Sequence, residues 1–331
     1  MSIFIRVRDE AAALDPVLRA VHDQVLDRTF EIVVLDNESI DGSDQVALEH
    51  GARVFTLPRA LFGYGRALNL GVELARGEIV VLLSAHCIPQ SPMWLADLVQ
   101  PLRDGTAGAA VCRQVPAGPV SRLQRRRFSC FPPADTALTR ERFIALCGDG
   151  RDPYEAALFS SSACAVRRDA ALRHPFRDLL YAEDRAFALD YAMAGGTVAY
   201  LHGPAVSYER GMTWRSAYRV GYRAQVSKRL IRELAAAYTG RRYDSGPETA
   251  SRLCRALLVV PGALARVLRC LREPSGLRRR AAAHALEATG ASLGMAKGSL
   301  RWRRHLDTLD RDAELQRQAR EQCVPTGIEA G

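Results

Sequence analysis

Three groups of side chains in this sequence are of the types that acid–base or metal-assisted chemistry uses. An acidic cluster, Asp36-Asn37-Glu38, ends a β-rich run, and a second, Glu183-Asp184, opens a helical run. Between them His86 stands where an apolar run gives way to Ser84-Ala85-His86-Cys87. A positioned carboxylate removes a hydroxyl proton in a transition state. An imidazole joined by a carboxylate offers nitrogen and oxygen donors to a divalent cation, and His86 with Glu209 downstream is such a pair. Each group also has a structural reading: Asp184 as a helix cap favoured by the helix dipole, Asp36 as a turn residue, and His86 as a lone structural imidazole.

The element that must present His86 is the stretch 77–89, GEIVVLLSAHCIP, whose residues 79–83 are five apolar side chains in a row. So continuous a run predicts a central strand covered on both faces. In open α/β sheets ligands bind beyond the carboxyl ends of the strands, which offers Ser84, Ala85, His86 and Cys87 to a ligand. Runs at 2–7, 31–35 and 52–56 read as further strands. They alternate with helical spacing at 10–27 (Leu14, Val17, Leu18, Val21, Val25, Leu26), 65–76 and 93–103. Asp41 or Ser39 can cap the helix after the second strand. Such alternation predicts an α/β fold, a Rossmann-like, mostly parallel sheet flanked by helices. Strands are also expected at 107–113, 158–166, 197–201 and 206–209, with a helix from 180 to about 194 ended by Gly195-Gly196. The proline-rich stretch 114–153, with Arg125-Arg126-Arg127, reads as a long binding loop. No G-x-G-x-x-G follows the first strand, which argues against a dinucleotide-binding fold, and Gly63-Tyr64-Gly65 alone marks a turn.

The chain has 331 residues, 48% hydrophobic and 25% charged, enough for one large domain or two modest ones. Its charge of +9 is uneven: residues 213–331 hold 23 Lys and Arg against 11 Asp and Glu, a net of +12, so residues 1–212 carry −3. The expected division is therefore a domain at 1–212 and a basic α-helical C-terminal region at 213–331. Such a region attracts anionic lipid, nucleic acid or a polyanionic substrate, or simply reflects Arg-loaded exposed helix faces. Nucleic acid is disfavoured because its Arg is mixed with acids and aromatics are sparse. Eight cysteines without a CxxC pair predict a reduced, cytoplasmic chain with buried thiols. No signal peptide is expected, and the apolar window 256–271 is broken by Pro261, Arg266 and Arg269, too interrupted to span a membrane.

Taken together, several strings resemble family 2 glycosyltransferases of the GT-A fold, most like the bacterial rhamnosyltransferase-like members, over roughly residues 2–225. They are SIFIRVRDE at 2–10, VLDNESIDGS at 34–43, GRALNLG at 65–71, ARGE at 75–78, SAHCIP at 84–89 and YAEDR at 181–185. The resemblance implies that Arg6, Glu10, Asp36 and Ser39 line the nucleotide pocket of an activated sugar, with Arg66 nearby to contact phosphate. It puts Ser84 to His86 at the family's metal-binding DXD position, although neither Asp is present here, and Asp184, after Glu183, at the general base of inverting members. A retained Mg or Mn ion on His86 and Glu209 is one expectation; a weak or absent metal, replaced by Arg210 or Arg66, is the other. The implied activity is inverting transfer from a nucleotide-diphosphate sugar to an acceptor hydroxyl, in polysaccharide or glycoconjugate biosynthesis. The acceptor is a glycan, a lipid-linked chain or a small molecule, met in the cytoplasm or against the inner face of the cell membrane. A sugar-nucleotide or glycan-binding relative that has lost catalysis is the alternative, and a nucleotidyltransferase is disfavoured because Arg8-Asp9-Glu10-Ala11 lacks a glycine-rich loop.

Overall fold

The computed structural model describes residues 1–118, 128, 130–208, 214–243, 291, 293–295, 297 and 312–326. The amino-terminal half alternates β1 (Ser2–Val7), α1 (Ala11–His22), β2 (Glu31–Asp36), α2 (Ser43–Glu49), β3 (Arg53–Thr56) and α3 (Tyr64–Leu74). It continues through β4 (Ile79–Ser84), β5 (Cys87–Pro89), α4 (Trp94–Arg103) and β6 (Ala109–Pro116). Then follow β7 (Thr136–Leu138), α5 (Arg140–Gly148), α6 (Pro153–Ala156), β8 (Ala163–Arg167), α7 (Arg168–Arg173), α8 (Glu183–Met193) and β9 (Val198–Tyr208). Helix α9 (Trp214–Thr239), helix α10 (Asp312–Gln322) and strand β10 (Val324–Thr326) complete the described elements.

Ten strands form one sheet in the order β10-β3-β2-β1-β4-β8-β6-β9-β5, with β7 added on β9. The strands β3, β2, β1 and β4 are mutually parallel, as alternation with helices requires. Beyond them the sheet is mixed, because β8 runs antiparallel to both β4 and β6. That reversal has a functional effect: the amino-terminal end of β8 lies beside the carboxyl end of β4. The segment 158–162, expected to be strand, is instead the loop that enters β8 at this edge. The expected strands at 197–201 and 206–209 are one strand, β9, whose register with β6 shifts between Cys112 and Arg113.

Alternate residues of each central strand enter different cores, which is why the strands read as unbroken apolar runs. Phe4, Leu35, Val80 and Leu82 pack with α3, α8 and α9, the last through Val226, Leu230 and Ile231. Ile3, Ile5, Val7, Val34, Val81 and Leu83 pack with α1 and α4. By the same alternation Arg6 and Ser84 continue the first face and Asp36 the second.

The stretch 114–153 contains more regular structure than a loop. Helix α5 begins where Thr139 accepts a bond from the Arg142 N–H, and its Phe143 and Cys147, four apart, are buried. The Arg125-Arg126-Arg127 run lies outside the described residues, as do Glu209 and Arg210. Among the described residues no helix is long and apolar enough to cross a membrane.

Candidate active site

Two loops at the carboxyl edge of the sheet, after β1 and after β2, are stitched together by short polar side chains. Ser39 Oγ accepts from the Asp9 N–H at 3.0 Å, Ser43 Oγ from Glu10 N–H at 3.1 Å, and Asp41 Oδ2 from Ala11 N–H at 2.8 Å. In return Asp9 Oδ1 accepts the Ile40 N–H at 2.9 Å. Asp41 thus serves both helices, α1 through Oδ2 and α2 through Oδ1, which accepts the Ser43 N–H at 3.1 Å. Gly42, with a φ of 84°, is the residue that enters α2. Asp9 and Glu38 hold left-handed φ values of 51° and 52°. Non-glycine residues adopt that region at a cost, and they concentrate where function fixes the backbone.

Within this stitched corner Asp36 is buried, and its Oδ2 accepts the Ser39 N–H at 3.0 Å. Burial pushes its carboxyl above the usual range, against the Ser39 hydrogen bonds. Its Oδ1 is buried without a partner, and so are Asn37 Oδ1 and His86 Nδ1. Asn37 is anchored by its amide, which donates to Leu57 O at 2.9 Å. The His86 ring meets the Tyr208 ring edge to face at 4.9 Å, and its Nδ1 lies 3.4 Å from Glu10 Oε1 without hydrogen-bond geometry. Buried polar atoms without partners are uncommon in folded proteins and call for an explanation, a ligand among them.

The second corner is built from β8 and α8. Ser84 N–H donates to Ser162 O at 3.0 Å, so the loop 160–162 adjoins the end of β4, two residues from His86. The next residue of that loop holds both acids. Ser161 N–H donates to Asp184 Oδ2 at 3.1 Å, and Ser161 Oγ to Glu183 Oε1 at 3.3 Å. Asp184 Oδ1 accepts the Arg185 N–H at 2.8 Å. Ala182, which enters α8, has a left-handed φ of 66°, the third such non-glycine residue among those described. Glu183 is fully buried, and burial followed by the Asp184 charge pushes it up to about 7. Arg6 reaches it with Nη2 at 3.5 Å, while Nη1 donates to Tyr64 O at 3.1 Å. The Arg6 guanidinium lies over the Tyr64 ring, 5.1 Å from its centre.

The edge therefore gathers Arg6, Glu10, Asp36, Ser39, Ser84, His86, Glu183 and Asp184 around the ends of β1, β2, β4 and the start of α8. Arg66 is placed differently. It is buried, donates to Leu61 O at 2.6 Å and pairs with Asp178, while its Nε is buried without a partner among the described residues. Gly63 and Gly65 explain that arrangement: a Cβ on Gly63 would lie 2.1 Å from Asp178 Oδ1, and one on Gly65 would lie 2.3 Å from Arg177 O. The glycines that read only as a turn let the segment 177–178 approach and set Tyr64 between them. Glu209 lies outside the described residues. Ser161 and Tyr64 escaped sequence reasoning; a run of three serines before a buried strand was the available signal for the first.

For a cation, His86 and Glu10 supply one imidazole and one carboxylate, and the described residues contain no group of three His, Cys, Asp or Glu. Mg2+ is commonly bound through one or two carboxylates together with substrate phosphates. This corner supplies one carboxylate, Glu10, and an imidazole, a donor that suits transition metals better than Mg2+. Two surface cavities lie elsewhere, about 310 Å³ beside Arg28, Glu78 and Arg103, and about 650 Å³ between α5, α6 and α9. In the larger one Asp152 already pairs with Lys228 at 3.0 Å and with Arg232.

Comparison with known proteins agrees with this edge architecture. Glucosyl-3-phosphoglycerate synthase of Mycolicibacterium paratuberculosis is 32% identical over 111 residues, 32% of this chain and 34% of the relative. The chain thus matches about a third of the length of that relative. The Mycobacterium tuberculosis glucosyl-3-phosphoglycerate synthase, solved with Mn2+, UDP and glucosyl-3-phosphoglycerate, superposes with a TM-score of 0.51 at 21% identity, over 74% of this chain and 81% of that one. A mannosyltransferase from Pyrobaculum calidifontis, solved with GDP-Man and Mn2+, gives a TM-score of 0.55 at 19% identity, over 90% and 86%. These two likenesses establish the GT-A fold. The family model described as glycosyl transferase family 2 matches residues 2–174, more than half of the sequence, and the chain belongs to that family.

Proposed function

We propose that the protein is an inverting glycosyltransferase that moves a sugar from a nucleotide-diphosphate donor to an acceptor hydroxyl. The observation that carries this reading is the pairing of two unlike corners at one sheet edge. One holds a fixed carboxylate at Asp184, and the other presents buried oxygens and a ring nitrogen that lack partners. The relatives named above were solved with UDP or GDP-Man and with Mn2+, and a donor of this class matches what the open corner offers. Asp36 and Asn37 would take hydroxyl or amide hydrogens of the nucleoside, with Glu10 and Ser39 beside them.

Asp184 would accept the proton of the attacking hydroxyl, which makes the transfer a single displacement with inversion. Its two backbone hydrogen bonds hold the carboxylate in one orientation, so little reorganisation accompanies the reaction. Arg6, which continues the same face of the sheet, would face the charge that develops on the departing diphosphate. A divalent cation held by His86, Glu10 and the donor phosphates would supply further charge neutralisation there.

Residues 1–212 are taken as the catalytic domain and 213–331 as a basic helical region that shapes the acceptor side and bears on an anionic membrane surface from the cytoplasm. The role in polysaccharide or glycoconjugate synthesis is part of the same proposal. The test is a screen of nucleotide sugars by thermal shift with Mn2+ and with chelator, followed by donor-consumption assays. A donor raises the melting temperature, and Asp184→Asn abolishes its consumption while leaving the shift. Full turnover by that variant would remove the proposed base.

A further inference from the structure

Among the described residues at this sheet edge, Arg223 is a cation with no role in the proposed transfer. Arg223, on the first helix after the sheet, donates from Nη1 to the Tyr64 hydroxyl at 3.1 Å, and its guanidinium lies 5.7 Å from the centre of the same ring. Arg6 stands on that ring too. The two guanidiniums differ in their partners. Arg6 serves Tyr64 O, Ser161 and Glu183. Arg223 is partly buried, and among the described residues no carboxylate pairs with it.

A guanidinium held beside an aromatic ring, with its remaining N–H groups uncommitted, is a fork shaped for a carboxylate or phosphate. The charge around it agrees. On this side of the sheet edge stand Arg6 and Arg223 against Asp184 and Glu183, and burial with the Asp184 charge pushes Glu183 up to about 7, so part of its negative charge is withdrawn near neutral pH. The position also lies apart from the nucleoside. Asp36, the proposed nucleoside contact, continues the face that packs on α1, whereas Tyr64 on α3 and Arg223 on α9 lie on the other face, where Arg6 is proposed to meet the diphosphate and Asp184 opens α8.

We propose that Arg223 is a specificity-determining residue that recognises an anionic group, a phosphate or carboxylate, on the acceptor. The inference rests on the glycosyltransferase reading and adds the chemical class of the acceptor. Neutral sugars would then be poor acceptors, and the anionic group would orient the hydroxyl toward Asp184.

The test uses the full chain saturated with UDP or GDP, whichever binds, in Mg2+, and titrates inorganic phosphate by calorimetry. The wild type should show a phosphate site that Arg223→Gln weakens at least tenfold, Arg223→Lys less, and Tyr64→Phe about twofold, with nucleotide affinity changed less than twofold. Arg223→Lys keeps the charge and the long stem, so it reports even if the Gln variant fails to fold. Absence of a phosphate site in the nucleotide-bound wild type overturns the proposal, as does equal phosphate binding by Arg223→Gln. Weakened nucleotide binding in Arg223→Gln also overturns it, by assigning the guanidinium to the donor diphosphate. If the wild type binds neither nucleotide, the glycosyltransferase reading itself fails, a result separate from all three.

Discussion

At the acid corner both oxygens of Asp184 accept backbone N–H groups and Glu183 accepts from Ser161 and Arg6. Across the same edge Asp36 Oδ1, Asn37 Oδ1 and His86 Nδ1 are buried without partners. A buried polar atom left unpaired costs about 1–3 kcal/mol, so these three atoms favour a hydrogen-bonding partner, a water or a ligand. The difference separates two tasks. A base must be held still before its substrate arrives, and its ligands are therefore internal. A recognition pocket must reserve its hydrogen-bonding capacity for what it recognises.

The contrast is broken most severely at Asp184. Its replacement by Asn preserves the shape of the corner and removes the proton acceptor, so kcat should fall about 100- to 10,000-fold with donor binding intact, measured by donor consumption and calorimetry. Glu183 comes next. Its folded carboxyl sits at about 7 against an ordinary 4.5, so the folded state binds the proton more tightly than the unfolded chain. The stability this gives is full below pH 4.5 and is lost as pH rises through 7, a change of roughly 3 kcal/mol. Glu183→Gln should flatten that slope in urea unfolding between pH 4.5 and 8; an unchanged slope would place the proton elsewhere.

At the open corner Asp36→Ala should raise the donor KM by about ten- to a hundredfold with kcat nearly kept, since it removes hydrogen bonds of about 1–3 kcal/mol. Equal losses in kcat and kcat/KM would mean that Asp36 acts in the transition state. The smallest effect is expected at Ser161, whose N–H and Oγ address different acids. Ser161→Ala keeps the bond to Asp184 and loses the one to Glu183, so kcat should change only two- to tenfold, with the pH profile displaced. A drop as large as that of Asp184→Asn would show that the hydroxyl, not the backbone, orients the base.

The open corner was largely legible in the sequence, because it sits on parallel strands whose apolar runs stop sharply at Asp36 and Ser84. The resemblance named Asp184, but not what holds it. Strand direction cannot be read from an apolar run, and it is the antiparallel path of β8 that brings Ser161 to Asp184. Arg66 shows the opposite limit. The motif carries the cation, but its pairing with Asp178, 112 residues away in sequence, is visible only in the fold. Likewise Gly63 and Gly65 carried a local turn signal, while their use depends on a segment that only tertiary structure delivers.

The strand β10 pairs with β3, and Thr326 meets Thr56 across a separation of 270 residues. The chain must therefore be synthesised at least as far as Thr326 before the margin beside the first βαβ unit acquires this neighbour. Until then that margin exposes unsatisfied backbone groups to any extended chain nearby. A chain not yet synthesised to residue 324 keeps an open flank at β3.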